Sequence, residues 1–255
     1  MNRAPVFSAI KSLRQGKAFS PAEVIAIDSL LGKLGIAPAS NGAATPIAIG
    51  LTPADFRNAA ATLGCTSAQI RAVWDVESGG GWFTDVRSDI LALDGPGGFL
   101  DGPHLPKILF EAHVFDRRTA GRYRDSHPNL SSRVWNRKLY IGGQGEYVRL
   151  WKAMQLDRHA ALMSASVGGA QIMGFNHRLA GFDTVEAYWE AMKVSEAAHL
   201  QAFATFIENR GLVKALKAIS NSPEDCIAFA RGYNGPGYAR NNYHVKIARA
   251  HARFA

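Results

Sequence analysis

Ile70-Arg-Ala-Val-Trp-Asp-Val-Glu77-Ser-Gly-Gly-Gly-Trp-Phe83 reads as an apolar helix that ends on a carboxylate and then breaks into glycine. Ile70, Val73, Trp74 and Val76 recur at helical spacing, and Ser67 supplies the hydroxyl that opens such a helix. Framed by Val73, Trp74, Val76 and Trp82, the Glu77 carboxyl is expected at the lip of a cleft against apolar surface. That setting penalises the ionised form and raises the pKa, which is what a general acid at neutral pH requires. The glycines let backbone come close to a bulky substrate. Taken alone, the same residue is also an ordinary exposed glutamate at a helix C-terminus, where the macrodipole mildly disfavours it.

Working outward, helical periodicity dominates from Leu51 onward. Thr52-Pro-Ala-Asp55 opens one helix, and further helical patterns cover 108–118, 145–163, 184–210, 211–219, 223–232 and 241–253. Between Gly79 and Pro106 the chain is rich in Gly, Asp and Pro, with short apolar runs, so a small β-hairpin or extended loop is expected there. The fold class is mainly α. Upstream, residues 1–37 carry two short amphipathic patterns, the second opened by Ser20-Pro21 with Glu23. Residues 38–50 are small, uncharged and aperiodic, which makes them a linker. A pair of helices of about 30 residues is too small to hold a core alone. It either docks on the main domain, 51–255, or serves as an accessory module.

Four stretches then resemble, in order, the N-acetylmuramidase domain of phage endolysins, a lysozyme-like fold. They are VESGGGWF (76–83), PKILFEAHVFDRRTAGRY (106–123), SASVGGAQIMGFN (164–176) and FARGYNGPGY (229–238). A lone Glu-Ser-Gly carries little weight; four long motifs in family order are specific, and they span about four-fifths of the chain. The resemblance implies hydrolysis of the β-1,4 bond between N-acetylmuramic acid and N-acetylglucosamine in peptidoglycan, with Glu77 as acid. It points to Glu111 as a second polar group that positions water or sugar, and to Tyr140 as a tyrosine near the acid that orients water or stabilises charge. Structural readings stand beside these: Glu111 as a helix carboxylate paired with Arg117 or Arg118, or as a cap, and Tyr140 as a plain core or turn aromatic.

The resemblance makes two further segments walls of the cleft. Gln171, Met173 and Asn176 follow a run of small residues, and the Gln171 and Asn176 amides suit the N-acetyl groups of a hexosamine; Tyr233, Asn234 and Tyr238 offer aromatic faces and an amide on a tight turn. Ser78 joins them as a substrate-binding candidate. Turn formation and core packing are the competing roles. In the family pattern the two glutamates lie about half as far apart as the 34 positions found here. The extra residues within Thr84–His104 have room to form a lid, and Asp85, Asp89, Asp94 or Asp101 could each supply a base.

Composition narrows the rivals. With 29 Lys and Arg against 21 Asp and Glu, the net charge is +8, which favours a polyanionic partner without naming it. A nucleic-acid protein would rest on charge alone, with no docking motif, so none is expected as partner. The basic C-terminus (Arg231, Arg240, Lys246, Arg249, Arg253) is either a solvated helix face or a patch attracted to an anionic envelope. The eight histidines are scattered and the two cysteines, Cys65 and Cys226, stand apart, so neither a metal site nor a cofactor is expected. No apolar run reaches the roughly 18–20 residues of a membrane span. With no signal-peptide pattern, the chain is expected to stay in the host cytoplasm until released to the cell wall or periplasm, as a monomer. A lytic transglycosylase would share the fold and the single glutamate; a silent envelope-binding module would not need a carboxylate at position 77.

Overall fold

The computed structural model describes residues 50–78, 83–85, 99–100 and 104–255, with Ile27 and Leu93 as isolated positions. The expected helices of residues 1–37, the linker, Trp82, and Asp89, Asp94 and Asp101 lie outside the described residues. Helix α1 (Pro53–Leu63) begins with a capping box in which Thr52 and Asp55 satisfy each other's backbone, and ends at Gly64 in the left-handed region. Helix α2 (Ser67–Ser78) follows and buries Ile70, Ala72, Val73 and Trp74.

The chain then enters two small sheets. Strand β1 (Phe83–Asp85) pairs antiparallel with β2 (His104–Pro106), spanning the region read as a hairpin or loop. Strand β3 (Ile108–Phe110), β4 (Ala165–Val167) and β5 (Ile172–Met173) form a second antiparallel sheet in the order β3-β4-β5. This sheet departs from the sequence reading. Residues 108–118 are not one helix: 108–110 are extended, Glu111 stays extended (φ −98°, ψ 95°), and helix α3 (Ala112–Arg118) starts only after it. Ile108 and Phe110 are buried and their strand bonds to β4, so ladder pairing overrides a run whose apolar spacing suits either period.

Two more long patterns divide. Residues 145–163 form α4 (Gly145–Leu156) and α5 (Arg158–Met163), parted by extended Asp157, whose carboxylate accepts from Ala160 N at 2.9 Å. Residues 184–210 form α6 (Val185–Met192) and α7 (Glu196–Asn209), with Ser195 capping the second. Helices α8 (Val213–Lys217), α9 (Pro223–Asn234) and α10 (Tyr243–Phe254) complete the chain.

Large rings tie helices to sheet. The Tyr188 hydroxyl donates to Ile172 O (3.0 Å), the Trp189 indole to Leu162 O (3.2 Å), and the Tyr147 hydroxyl to Pro106 O. Each ring thus buries its apolar body while its polar tip is satisfied by strand or helix-end backbone. Glycine is demanded by internal packing at Gly174, where a β-carbon would lie 2.0 Å from Leu162 O, and at Gly168 (φ +74°), pressed against the buried His199 ring. His199 accepts from Gly169 N at 3.2 Å and contacts Met192 O at 2.6 Å; burial holds its pKa down at about 4. The small-residue run 164–170 therefore serves strand pairing and this close approach.

Candidate active site

Helix α2 delivers Glu77 in its last turn. The side-chain amide of Asn234, the last residue of α9, donates to Glu77 Oε1 at 2.9 Å. Gly235 (φ +75°) stops α9 there, its N–H bonding to Arg231 O at 3.0 Å. Burial pushes the Glu77 carboxyl up to about 7, opposed by the Asn234 hydrogen bond and the positive charge of Lys246. Helix α10 holds the back of α2: Arg253 bonds Asp75 at 2.5 Å, and the Arg71 guanidinium stacks over Phe254 at 4.2 Å. Glu77 is thus a carboxylic acid half protonated near neutrality, with the Asn234 amide fixing its orientation.

Glu111 sits in a different environment. Its extended backbone is anchored to the end of α5 by a bond from its N–H to Ser164 O (2.9 Å). Glu111 Oε2 accepts the Tyr140 hydroxyl at 2.5 Å and lies 3.1 Å from His113 Nδ1; no cap bond to its own helix forms. Burial, then the hydrogen bond and charge of Glu111, push the Tyr140 hydroxyl well above its ordinary pKa, while a hydrogen bond from Trp135 and the charge of Arg149 pull the other way. Tyr140 therefore stays a donor.

Beneath this pair lies a buried ion pair. Glu146 Oε2 receives Arg149 Nη1 at 2.7 Å and Phe110 N at 3.1 Å; Oε1 receives the backbone N–H groups of Ile141 (2.8 Å) and Gly142 (3.0 Å). Arg149 also donates to Phe110 O (2.9 Å) and Asn129 O (3.2 Å), and its guanidinium lies 5.7 Å from the Tyr140 ring centre. Glu146 and Arg149 are 0% and 3% exposed, so one buried, multiply bonded pair locks the 141–142 turn to the strand that precedes Glu111.

Two adjoining compartments make the cleft. One, of about 390 Å³, is lined by Glu77, Ser78, Lys107, Ile108, Leu109, Gly143 and Gln171. The other, of about 420 Å³, is lined by Leu109, Glu111, Trp135, Arg137, Tyr140, Ile141 and Gly142. Leu109 borders both, and Gly142 and Gly143 continue the wall from one to the next. Among the described residues no three His, Cys, Asp or Glu side chains converge where they could hold a metal ion.

This geometry belongs to a known lineage. The sequence profile of the N-acetylmuramidase family matches residues 66–255. The chain belongs to the N-acetylmuramidase family. The crystal structure of Burkholderia AP3 phage endolysin is similar at 34% identity and a TM-score of 0.65, covering 84% of this chain and 74% of that one. No curated protein is similar enough in sequence to match the chain. The fold is accordingly lysozyme-like and mainly α, and the protein is a glycoside hydrolase whose substrate is peptidoglycan.

Within this muramidase fold the residues singled out in sequence are distributed unevenly. Glu77, Ser78 and Gln171 share the first compartment, Glu111 and Tyr140 the second. Gln171 holds a left-handed backbone (φ +47°) and spends its side chain on Ser166 Oγ (2.8 Å) and Gly168 O (2.7 Å), closing the β4–β5 turn at the cleft edge. Asn234 touches the acid itself. Tyr233 packs its ring among Phe203, Phe206 and Phe229 and donates to Ala170 O at 2.8 Å, so it braces the floor. Met173, Asn176 and Tyr238 are not among the side chains lining either compartment; Tyr238 packs against His244 and under Arg231. Sequence reading missed Lys107, Leu109, Trp135, Arg137 and the Glu146–Arg149 pair. Trp135 had a signal, a tryptophan in a polar stretch with no helical or strand period around it; the others had none.

Proposed function

We propose that this muramidase acts as a phage endolysin in which Glu77 is the general acid. The observation that supports it most is the Glu77 carboxyl itself: pKa about 7, open to a cleft, and oriented by Asn234. Protonated Glu77 gives its proton to the oxygen linking N-acetylmuramic acid to N-acetylglucosamine as that bond breaks through an oxocarbenium-like state. Glu111, tethered to Tyr140 and His113, acts from the second compartment to place water or steady the developing positive charge. Ser78 and Gln171 supply polar edges to the sugar in the first compartment.

The chain works as a monomer. The exposed cations of α10, Lys246 and Arg249, lend a weak attraction to the anionic envelope. It is held in the host cytoplasm until released onto the cell wall. Among the described residues no helix is long and apolar enough to cross a membrane. Residues 1–37 serve as the accessory wall-binding segment and 38–50 as linker.

Digestion of purified peptidoglycan by wild type and Glu77→Gln, followed by borohydride reduction and mass spectrometry, tests the reading. Reducible muramic acid ends from wild type alone are expected. Anhydro ends would assign a transglycosylase reaction, and equal cleavage by Glu77→Gln would remove Glu77 from the chemistry.

A further inference from the structure

The second compartment carries more than Glu111 and Tyr140. Among the described residues the large apolar side chains most open to water are Ile141 (67%), Val134 (66%) and Trp135 (58%), and all three sit in one short segment. Apolar side chains gathered in one exposed patch mark a surface that meets a ligand or partner. Trp135 and Ile141 line the compartment wall.

The segment is rigidly built. At its start Ser132 N donates to Ala112 O (3.2 Å) and Ser132 Oγ to Val134 O (2.8 Å); Asn136 caps the 3₁₀ turn Arg137–Leu139 through Lys138 N (3.0 Å). At its end Ile141 and Gly142 hang from buried Glu146. Trp135 leans its indole N–H on Tyr140, with ring centres 6.3 Å apart, which leaves a flat apolar face presented to the cleft. The charge here has one sign. Between residues 126 and 145 there are Arg133, Arg137 and Lys138 and no Asp or Glu, and Arg137 lines the compartment. The carboxylate that faces it, Glu111, is already engaged by Tyr140 and His113.

An apolar ring face beside the Arg137 cation, on a fixed wall continuous with the Glu77 compartment, matches one kind of occupant. We propose that residues 133–142 form a second sugar platform of this muramidase. It takes an N-acetylmuramic acid unit of the strand, with the pyranose against Trp135 and Ile141 and the carboxylates of its lactyl-peptide arm facing Arg137. The roughly 420 Å³ of the compartment suits a group of this size. A protein partner would need a wider, flatter patch than this concave wall offers. The platform rests on the muramidase reading, since the strand must reach Glu77 as it crosses Leu109.

The test is initial rates on soluble glycan strands by wild type, Trp135→Ala, Trp135→Phe and Arg137→Ala, with melting temperatures confirming that these exposed changes leave the fold intact. Trp135→Ala is expected to raise KM about tenfold with kcat within about twofold, and Trp135→Phe to stay near wild type because the ring face is retained. Arg137→Ala is expected to raise KM about threefold at low salt, an effect that fades at about 0.5 M salt while that of Trp135→Ala persists. An unchanged KM for Trp135→Ala overturns the platform. So does a Trp135→Phe that matches Trp135→Ala, which would locate the effect in the bond to Tyr140. If wild type releases no reducing ends, the muramidase reading fails separately. Pelleting with insoluble peptidoglycan then decides the platform: weaker pelleting of Trp135→Ala supports it, equal pelleting sinks it.

Discussion

The two carboxylates of the cleft are treated in opposite ways. Glu77 ends a helix and accepts from the Asn234 amide, and burial holds its pKa near 7. Glu111 sits between strand and helix, held by a tyrosine and facing a histidine, with a buried ion pair beneath that fixes the neighbouring turn. Carboxylates set apart in this way fall into separate roles: the starved one keeps its proton to give away, and the bonded one is a fixed polar fixture.

The strongest way to break that contrast is to remove each carboxylate in turn. Glu77→Gln is expected to lower kcat by about 10³-fold, the middle of the range for loss of a general acid. Glu111→Gln is expected to cost about 10²-fold, read as reducing ends from the same strands. Equal losses would mean that the two share one role.

Stability gives a second, independent reading. A folded-state pKa raised from 4.5 to about 7 contributes stability that is fully present below pH 4.5 and is lost as pH rises through about 7. The shift corresponds to about 3 kcal/mol. Glu77→Gln should therefore melt several degrees above wild type at pH 8, with the gap closing below pH 4.5. An equal gap at both pH values would show that Glu77 is not strained by ionisation.

Two smaller changes sharpen the comparison. Tyr140→Phe strips one donor from Glu111 and is expected to lower kcat about tenfold. Asn234→Ala removes the bond that favours ionised Glu77, so the alkaline limb of the rate profile should move to higher pH. Movement in the other direction would mean that the amide stabilises the protonated acid.

How much of this could be read from sequence depends on how far apart in the chain the causes lie. The end of α2 was legible because apolar spacing, carboxylate and glycine break are all local, and so was the body of α9, read over 223–232, although Tyr233 and Asn234, read as a turn, extend that helix to Pro223–Asn234. Ile108-Leu-Phe-Glu-Ala was not: its run of apolar residues fits a strand or a helix, and only pairing with β4, more than fifty positions away, decides it. Glu146 and Arg149 look like a solvated i, i+3 pair on a helix, yet both are buried, because their partners are backbone groups of Phe110, Asn129, Ile141 and Gly142. Tyr233 reads as a sugar-stacking ring and packs instead on Phe229, one turn back on its own helix, and on Phe203 and Phe206 of α7, which only the tertiary fold brings to it.

The clamp of α9 and α10 on α2 carries a consequence for how the enzyme comes into being. Asn234 reaches Glu77 across 157 positions, Arg253 reaches Asp75 across 178, and the Gln69 amide reaches Lys217 O and Ile219 O across 148 and 150. Contacts of such long range close slowly, after local helices have formed. Until they close, Glu77 stands in water at the end of a bare helix and titrates as any surface glutamate does. The capacity of Glu77 to keep its proton near neutral pH is therefore gained only when these contacts close, and in a refolding experiment activity should appear after helical signal has already returned.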